Sequence, residues 1–487
     1  MEIEFKKEYV PLILIVLIGI IYIYLASNTA MLGEDEAVYF TMAKEFLKVE
    51  YPTFTNTGFP NVFQPLVPLI NVIPFYLFGV ALSISKVVIA FFGVLTMIVI
   101  YLLGKKFGLI AGLLSVAILL SIPLFTQYMF INYLEVPIAF FSVLAIYLFL
   151  QLDSVKKAVL TGAVLALSFY AKGSGIFLIL IFFIYSFIRY FYKRDIDLKL
   201  VFTVLLVSIL MILPWIARNF MLYNYPYVEG LNLFFKQPPF GNPTWLSEAL
   251  TSLSLNVNYY GTFGYISIIF GIFGSVYIIL AKEKRLYVSI LLIILFLLAF
   301  NFRGAAAIMD PRHLSIIFPE VAIIGAFFLD KFYEKDKKLL LLVVAILLLS
   351  VYSSITVALS TSSSQRYTQD YIQAMTWIKG NTPEDAKIFT AYTGSLSYFA
   401  DRSNVWVIDE FPNVMTTQDP IYIYDTLKNY NVSYILIWRG IVADRYIIPE
   451  SNLLGAFTYN FVNVVSNDKQ HFNVTYQNQD NIIFKLV

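Results

Sequence analysis

Eleven apolar runs of near-spanning length constrain this chain more than any other feature. They fall near residues 9–26, 86–103, 108–127, 136–152, 158–171, 176–192, 200–217, 262–281, 286–302, 314–329 and 339–359. Crossing a bilayer takes about 20 predominantly apolar residues, so the shorter runs borrow from their flanks. Charged residues make up 14% of the 487, against about 25% in a soluble protein. The chain reads as a polytopic α-helical membrane protein with about 11 transmembrane helices. A further run, Pro65 to Phe78, holds three prolines and reads as interfacial rather than spanning.

Loop charge sets the predicted topology. With 65–78 not spanning and a cytoplasmic N-terminus, half of the 34 Lys and Arg fall in six short cytoplasmic segments. Lys105 and Lys106, Lys156 and Lys157, and Lys282, Lys284 and Arg285 are among them. Counting 65–78 as a span would move several of these clusters outside, against the positive-inside rule. The first run, after Lys6 and Lys7, reads as an uncleaved anchor. A multi-pass cell-membrane protein follows, with everything beyond about residue 360 extracytoplasmic. The absence of cysteine excludes disulfides, thiol catalysis and thiolate metal sites. Two histidines, His313 and His471, cannot build a histidine metal centre. A net charge of +2 without a long basic run gives no reason to expect nucleic acid.

The first external loop, 28–85, opens with Gly33-Glu34-Asp35-Glu36. Asp35 is placed to cap the helix that follows, and Glu36 falls in its first turn. Tyr39, Ala43, Phe46 and Leu47 share one apolar face of that helix. Two readings stay open: an amphipathic helix lying on lipid, or an acidic pair with one carboxylate acting as a base. A single charge at a span end reads as a snorkelling anchor. Acids at 35, 36 and 135 with cations at 172, 218, 303 and 312, all expected at one membrane face, favour a site. Beyond 360 the aliphatic runs shorten. Helices near 366–379 and 421–430 alternate with strand-like Lys387–Thr390, Val405–Val407 and Tyr434–Trp438, giving an α/β domain with a β-rich tail. The sequons Asn431-Val432-Ser433 and Asn473-Val474-Thr475 are usable only outside.

Several blocks resemble the GT-C fold, polyprenyl-phosphate-sugar-dependent glycosyltransferases, in their protein O-mannosyltransferase and aminoarabinose-transferase branch and in an archaeal-type form. They are Asp35-Glu36 with Tyr39, Gln64-Pro65-Leu66, Glu135 with Pro137, Ala171-Lys172-Gly173, Pro214-Trp215-Ile216-Ala217-Arg218-Asn219, Arg312-His313-Leu314, and the stretch from Trp377 to Ala386. The resemblance implies a GT-C-like catalytic membrane domain over 1–360 and a soluble extracytoplasmic domain over 361–487. It implies a donor such as a dolichyl-phosphate monosaccharide, and transfer to a hydroxyl of a protein, glycan or lipid in one inverting displacement. Asp35 is expected to be the base and Glu36 to orient the acceptor or the helix start. Glu135 is expected to stabilise the oxocarbenium-like centre, and Lys172, Arg218, Arg312 and Arg303 to clamp the leaving phosphate. Tyr39 and His313 complete the expected substrate-binding set. No cofactor is required by this reading, and a divalent cation on Asp35 and Glu135 stays open. The rivals are a secondary transporter, which would carry ionisable groups near mid-membrane, and a scaffold with an external partner-binding domain. The spans are expected to be nearly free of central charge.

Overall fold

Helices of the expected apolar runs form the greater part of the protein. The structure, a computed structural model, describes residues 9–29, 33–48, 64–193, 197–223, 265–301, 311–333, 337–363, 367–391, 393–405, 411–438, 442–443 and 457–487. The chain divides into two compact units. One comprises Met1–Thr29, Val62–Pro74 and Ala81–Ser363, and the other Ala30–Asn61, Phe75–Val80 and Ser364–Val487.

The first unit contains α1 (Val10–Ser27), most of α3 (Leu66–Phe78), α4 (Leu82–Lys105), α5 (Leu109–Leu120), α6 (Pro123–Tyr128), α7 (Glu135–Phe149) and α8 (Val155–Ala171). It continues through α9 (Ile176–Lys193), α10 (Leu198–Tyr223), α11 (Tyr265–Ala281), α12 (Tyr287–Asn301), α13 (Phe318–Tyr333) and α14 (Lys337–Ser363). Among the described residues, five helical segments have both the length and the apolarity to cross a membrane: Val10–Ser27, Leu82–Lys105, Gly173–Phe191, Leu198–Met221 and Leu340–Ser360. Shorter apolar helices accompany them, Leu66–Phe78 included.

Three runs differ from their expected form. The run 108–127 is broken, because Pro123 lacks an N–H and opens a new helix, α6, at a position where none is needed. The run 200–217 extends beyond its expected end, with Pro214 inside it. Helix α10 continues through it to Tyr223, one lost backbone bond being tolerated where Trp215 is buried. The run 314–329 starts with a tight 3-10 segment, Pro311–Ile317, before α13. It also carries Glu320, a fully buried carboxyl in the first turn of α13 that accepts from the Ser142 hydroxyl at 3.1 Å.

Helix α13 is buried along nearly its whole length, and α11 lies against it closely. A β-carbon on Gly274 would stand 2.5 Å from the Ile324 carbonyl oxygen, so only glycine permits that approach. Serines tie neighbouring helices, as Ser121 to Ser267 at 3.0 Å and Ser354 to the Ser121 carbonyl at 3.1 Å.

The second unit contains α2 (Glu34–Leu47), α15 (Gln369–Asn381), α16 (Phe411–Thr416), α17 (Pro420–Asn429) and α18 (Tyr459–Asn467). Its strands are β1 (Lys387–Phe389), β2 (Ser403–Val405), β3 (Val432–Trp438), β4 (Val442–Ala443), β5 (Phe457–Thr458), β6 (Phe472–Gln477) and β7 (Asn481–Leu486). Five form one sheet in the order β2-β1-β3-β7-β6, and β4 pairs with β5. The β1, β2 and β3 pairings are parallel, and those of β3 with β7 and β7 with β6 are antiparallel. Phe389, Ile435, Ile437, Phe461, Phe472 and Phe484 anchor its core. Asp419 and Thr458 cap α17 and α18 through their side chains.

Candidate active site

In the first unit the site is built around Glu135. It is the first residue of α7, where the helix dipole favours a carboxylate, and Pro137 sits where the helix needs no N–H. Lys172 ends α8 in extended backbone, and a 3-10 turn, Gly173–Gly175, follows. The turn folds back so tightly that a β-carbon on Gly175 would lie 2.4 Å from the Ser168 carbonyl carbon. Lys172 Nζ then meets Glu135 Oε1 at 2.6 Å, both side chains being buried. Arg312, in the 3-10 segment before α13, brings Nε to 4.0 Å from the same oxygen and sets its guanidinium 5.5 Å from the Tyr133 ring centre. Its side chain is 25% exposed, against 6% for Lys172 and 4% for Glu135. Two cations converge on one carboxylate, and Arg312 is the more open of the two. Such an arrangement suits an anion.

In the second unit the helix opens at Gly33, and no side chain caps it. Asp35 is therefore not the cap expected of it. The helix starts two residues earlier, and Glu34, Asp35 and Glu36 all fall in the first turn, where the dipole favours each. Glu34 is taken up structurally. Its Oε2 accepts from the N–H groups of Gly394 (2.8 Å) and Ser395 (3.0 Å), and its Oε1 from the Tyr367 hydroxyl (2.8 Å). Burial raises the Glu34 carboxyl above its ordinary range, those donors pulling the other way. Burial and the Glu34 carboxylate likewise raise the Tyr367 hydroxyl. Glu36 is fully buried, and its charge adds to burial in raising the Tyr398 hydroxyl. Asp35, like Glu34, is partly buried. The buried face runs over residues 36–40, 42 and 43, with Tyr39 on it, so α2 packs within a folded unit and does not lie on lipid.

Residues 60–217 match the family model described as dolichyl-phosphate-mannose-protein mannosyltransferase, a stretch that includes Glu135 and Lys172. No curated protein matches the chain by sequence. Among solved structures, the chain is similar to ArnT from Cupriavidus metallidurans bound to undecaprenyl phosphate, with a TM-score of 0.64, 14% identity and 98% of each chain covered. It is also similar to the oligosaccharyltransferase AglB from Archaeoglobus fulgidus in complex with an inhibitory peptide and a dolichol-phosphate. There the TM-score is 0.68 at 15% identity, over 90% of this chain and 70% of that one. The chain has the GT-C membrane fold.

Other residues of this GT-C chain are placed as follows. Arg218 lies on α10, its guanidinium 4.5 Å from the Trp215 ring centre and donating to Asn219 Oδ1 at 2.6 Å. His313 belongs to the 3-10 segment by its backbone, and its side chain lies outside the described residues. Arg303 lies outside them altogether. Sequence reasoning passed over Lys86, which is fully buried near the start of α4 and donates to the Thr29 hydroxyl at 3.1 Å. A lysine at the head of an apolar run was the signal available. Among the described residues, no group of three or more His, Asp or Glu could hold a metal. Glu135, engaged by an ammonium at 2.6 Å, does not fit a divalent-cation ligand.

Proposed function

We propose that this chain is a membrane glycosyltransferase that moves a monosaccharide from a polyprenyl phosphate to a hydroxyl acceptor on protein, glycan or lipid, with inversion. The observation that carries this reading is the Glu135–Lys172–Arg312 cluster, two cations gathered on one buried carboxylate, on a fold whose solved examples include complexes with polyprenyl phosphates. The acceptor oxygen attacks the anomeric carbon, the bond from that carbon to the phosphate oxygen breaks, and its electron pair leaves with the phosphate. Asp35 takes the hydroxyl proton. Charge grows on the departing phosphate, where Arg312 and Lys172 oppose it. Glu135 holds Lys172 in place, which makes it a positioning residue for the donor clamp rather than a metal ligand. Asp35 is our choice of base because it stands in the acidic first turn of α2, and of its neighbours Glu34 is committed to Gly394, Ser395 and Tyr367 while Glu36 is fully buried.

Replacing Arg312 tests the donor clamp. A lost charge-assisted contact, about 1.5–3 kcal/mol, should raise the donor KM by roughly 10- to 100-fold in Arg312→Ala. Arg312→Lys should recover only part of it, having no planar fork. An unchanged donor KM would remove Arg312 from the site. A panel of polyprenyl-phosphate sugars in the same assay identifies the sugar. One observation favours the transporter reading, the buried Glu320 in the first turn of α13. If Glu320→Gln transfers sugar at the wild-type rate, Glu320 is excluded from the transfer reaction.

A further inference from the structure

Helix α2, which carries Asp35, lies against one short stretch of the same unit, residues 394–402. The two run side by side. At one end the Gly394 and Ser395 N–H groups donate to Glu34 Oε2, at 2.8 and 3.0 Å. Next, the Tyr398 ring meets Phe40 edge-on, with ring centres 5.1 Å apart. At the far end Lys44 Nζ stands 2.9 Å from Asp401 Oδ1. Contacts at 34, 40 and 44 thus follow 394, 398 and 401 in the same order, over about 15 Å of helix. The approach is closest at Gly394, where a β-carbon would stand 2.5 Å from the Glu34 carbonyl oxygen and 2.9 Å from Val38 Cγ2. Only glycine lets α2 come so near.

The stretch is itself anchored. The buried Arg402 guanidinium donates to the Lys379 and Thr382 carbonyls, each at 2.8 Å, and to the Thr382 hydroxyl at 3.0 Å, which ties it to the end of α15. The hydroxyls of Ser395 and of Tyr371, on α15, share a hydrogen bond of 2.6 Å. Tyr367, the third donor to Glu34, stacks on Tyr371 with ring centres 5.0 Å apart. Beyond Arg402 the chain enters β2 and the sheet.

We propose that this C-terminal stretch positions Asp35, with Glu34 as the positioning residue through which it acts. The role rests on Asp35 being the base of the proposed transfer. A purely structural seam could be closed by apolar side chains, which tolerate sliding. Glu34 instead accepts three directional bonds, two of them from successive backbone N–H groups that cannot turn independently. Such bonds fix the first turn of α2, and with it the residue that follows Glu34. Precision of this kind is what a reacting group needs, since a displacement of about 1 Å costs about 100-fold in rate.

The test measures sugar transfer by the full chain in membranes, with kcat and the donor KM determined separately and the melting temperature recorded for every variant. Glu34→Gln and Gly394→Ala should each lower kcat roughly tenfold or more, with the donor KM within about twofold of wild type. Gly394→Ala removes no hydrogen-bonding group and acts by displacing α2. Tyr367→Phe removes one donor and leaves two, so it is the mildest change and should lower kcat by a smaller factor. Asp419→Ala removes the cap of α17 in the same unit, controls for lost stability, and should leave kcat unchanged. In an Asp35→Asn background, Glu34→Gln should lower the residual transfer no further. An unchanged kcat in every folded variant would overturn the proposal. So would a fall in Asp419→Ala equal to that in Glu34→Gln, or an undiminished effect of Glu34→Gln in the Asp35→Asn background. Wild-type transfer by Asp35→Asn would instead overturn the base assignment on which the role rests.

Discussion

The carboxylates of the two units are held in opposite ways. In the first unit, Glu135 is buried against Lys172 and approached by Arg312, so its charge is spent on fixing cations. In the second, three acids share the first turn of α2, and the structural work is divided among them. Glu34 is consumed by backbone and hydroxyl donors, Glu36 is fully buried, and Asp35 is partly buried. The proposed reaction gives the two sets different work: Glu135 positions the donor clamp and Asp35 takes the proton. On that proposal burial and partners, rather than residue type, divide the roles.

Stability measurements on the full chain in detergent can break that contrast. Removing Lys172 should have the largest effect. Lys172→Met leaves Glu135 charged, buried and facing Arg312 alone, and should cost about 3–5 kcal/mol. A loss below about 1 kcal/mol would mean that the pair does not organise the first unit. Glu34→Gln comes next. It replaces an acceptor oxygen with a donor that faces other donors, and about 1–3 kcal/mol should go. The wild-type contribution of this group also depends on pH. Because its folded pKa is raised, its contribution is fully present below the ordinary glutamate range and is lost as pH rises through the folded value. The smallest effect belongs to Lys44, whose half-exposed bond to Asp401 spans 2.9 Å. Lys44→Met should cost less than about 1 kcal/mol at neutral pH. Chiefly through that hydrogen bond, Lys44 holds the Asp401 carboxyl below its ordinary range. The contribution is therefore present above the ordinary aspartate range and disappears as pH falls through the depressed value. A loss that persists in strong acid would rule out the ion pair as its source.

Much of the membrane fold was legible because hydropathy alone specifies which stretches must leave water. The break at Pro123 was written in the sequence, since proline opens helices readily. The passage of α10 through Pro214 was not, because it depends on packing that buries Trp215. Strands β1 and β3 and helices α15 and α17 lie close to their expected positions, alternation and turn residues being local signals. The roles within the acidic stretch were hidden for the opposite reason. The partners of Glu34 lie more than 300 residues away, at Tyr367, Gly394 and Ser395, and no local pattern distinguishes Glu34 from Asp35. Lys172 and Glu135 were both marked as site residues, yet their direct pairing depends on how α7 and α8 pack. Glu320 escaped notice because one acid in an apolar run barely alters its hydropathy.

The central claim, that Asp35 is the base of a sugar transfer, is tested most directly by comparing wild type with Asp35→Asn in membranes. Each is supplied with radiolabelled dolichyl-phosphate sugars and a protein or lipid extract, and transferred label is measured. The account predicts transfer by wild type and a loss of roughly 10²- to 10⁴-fold in Asp35→Asn, with the melting temperature unchanged. Equal transfer by both would contradict it and leave the Asp35 carboxylate with no more than a favourable place at the start of α2.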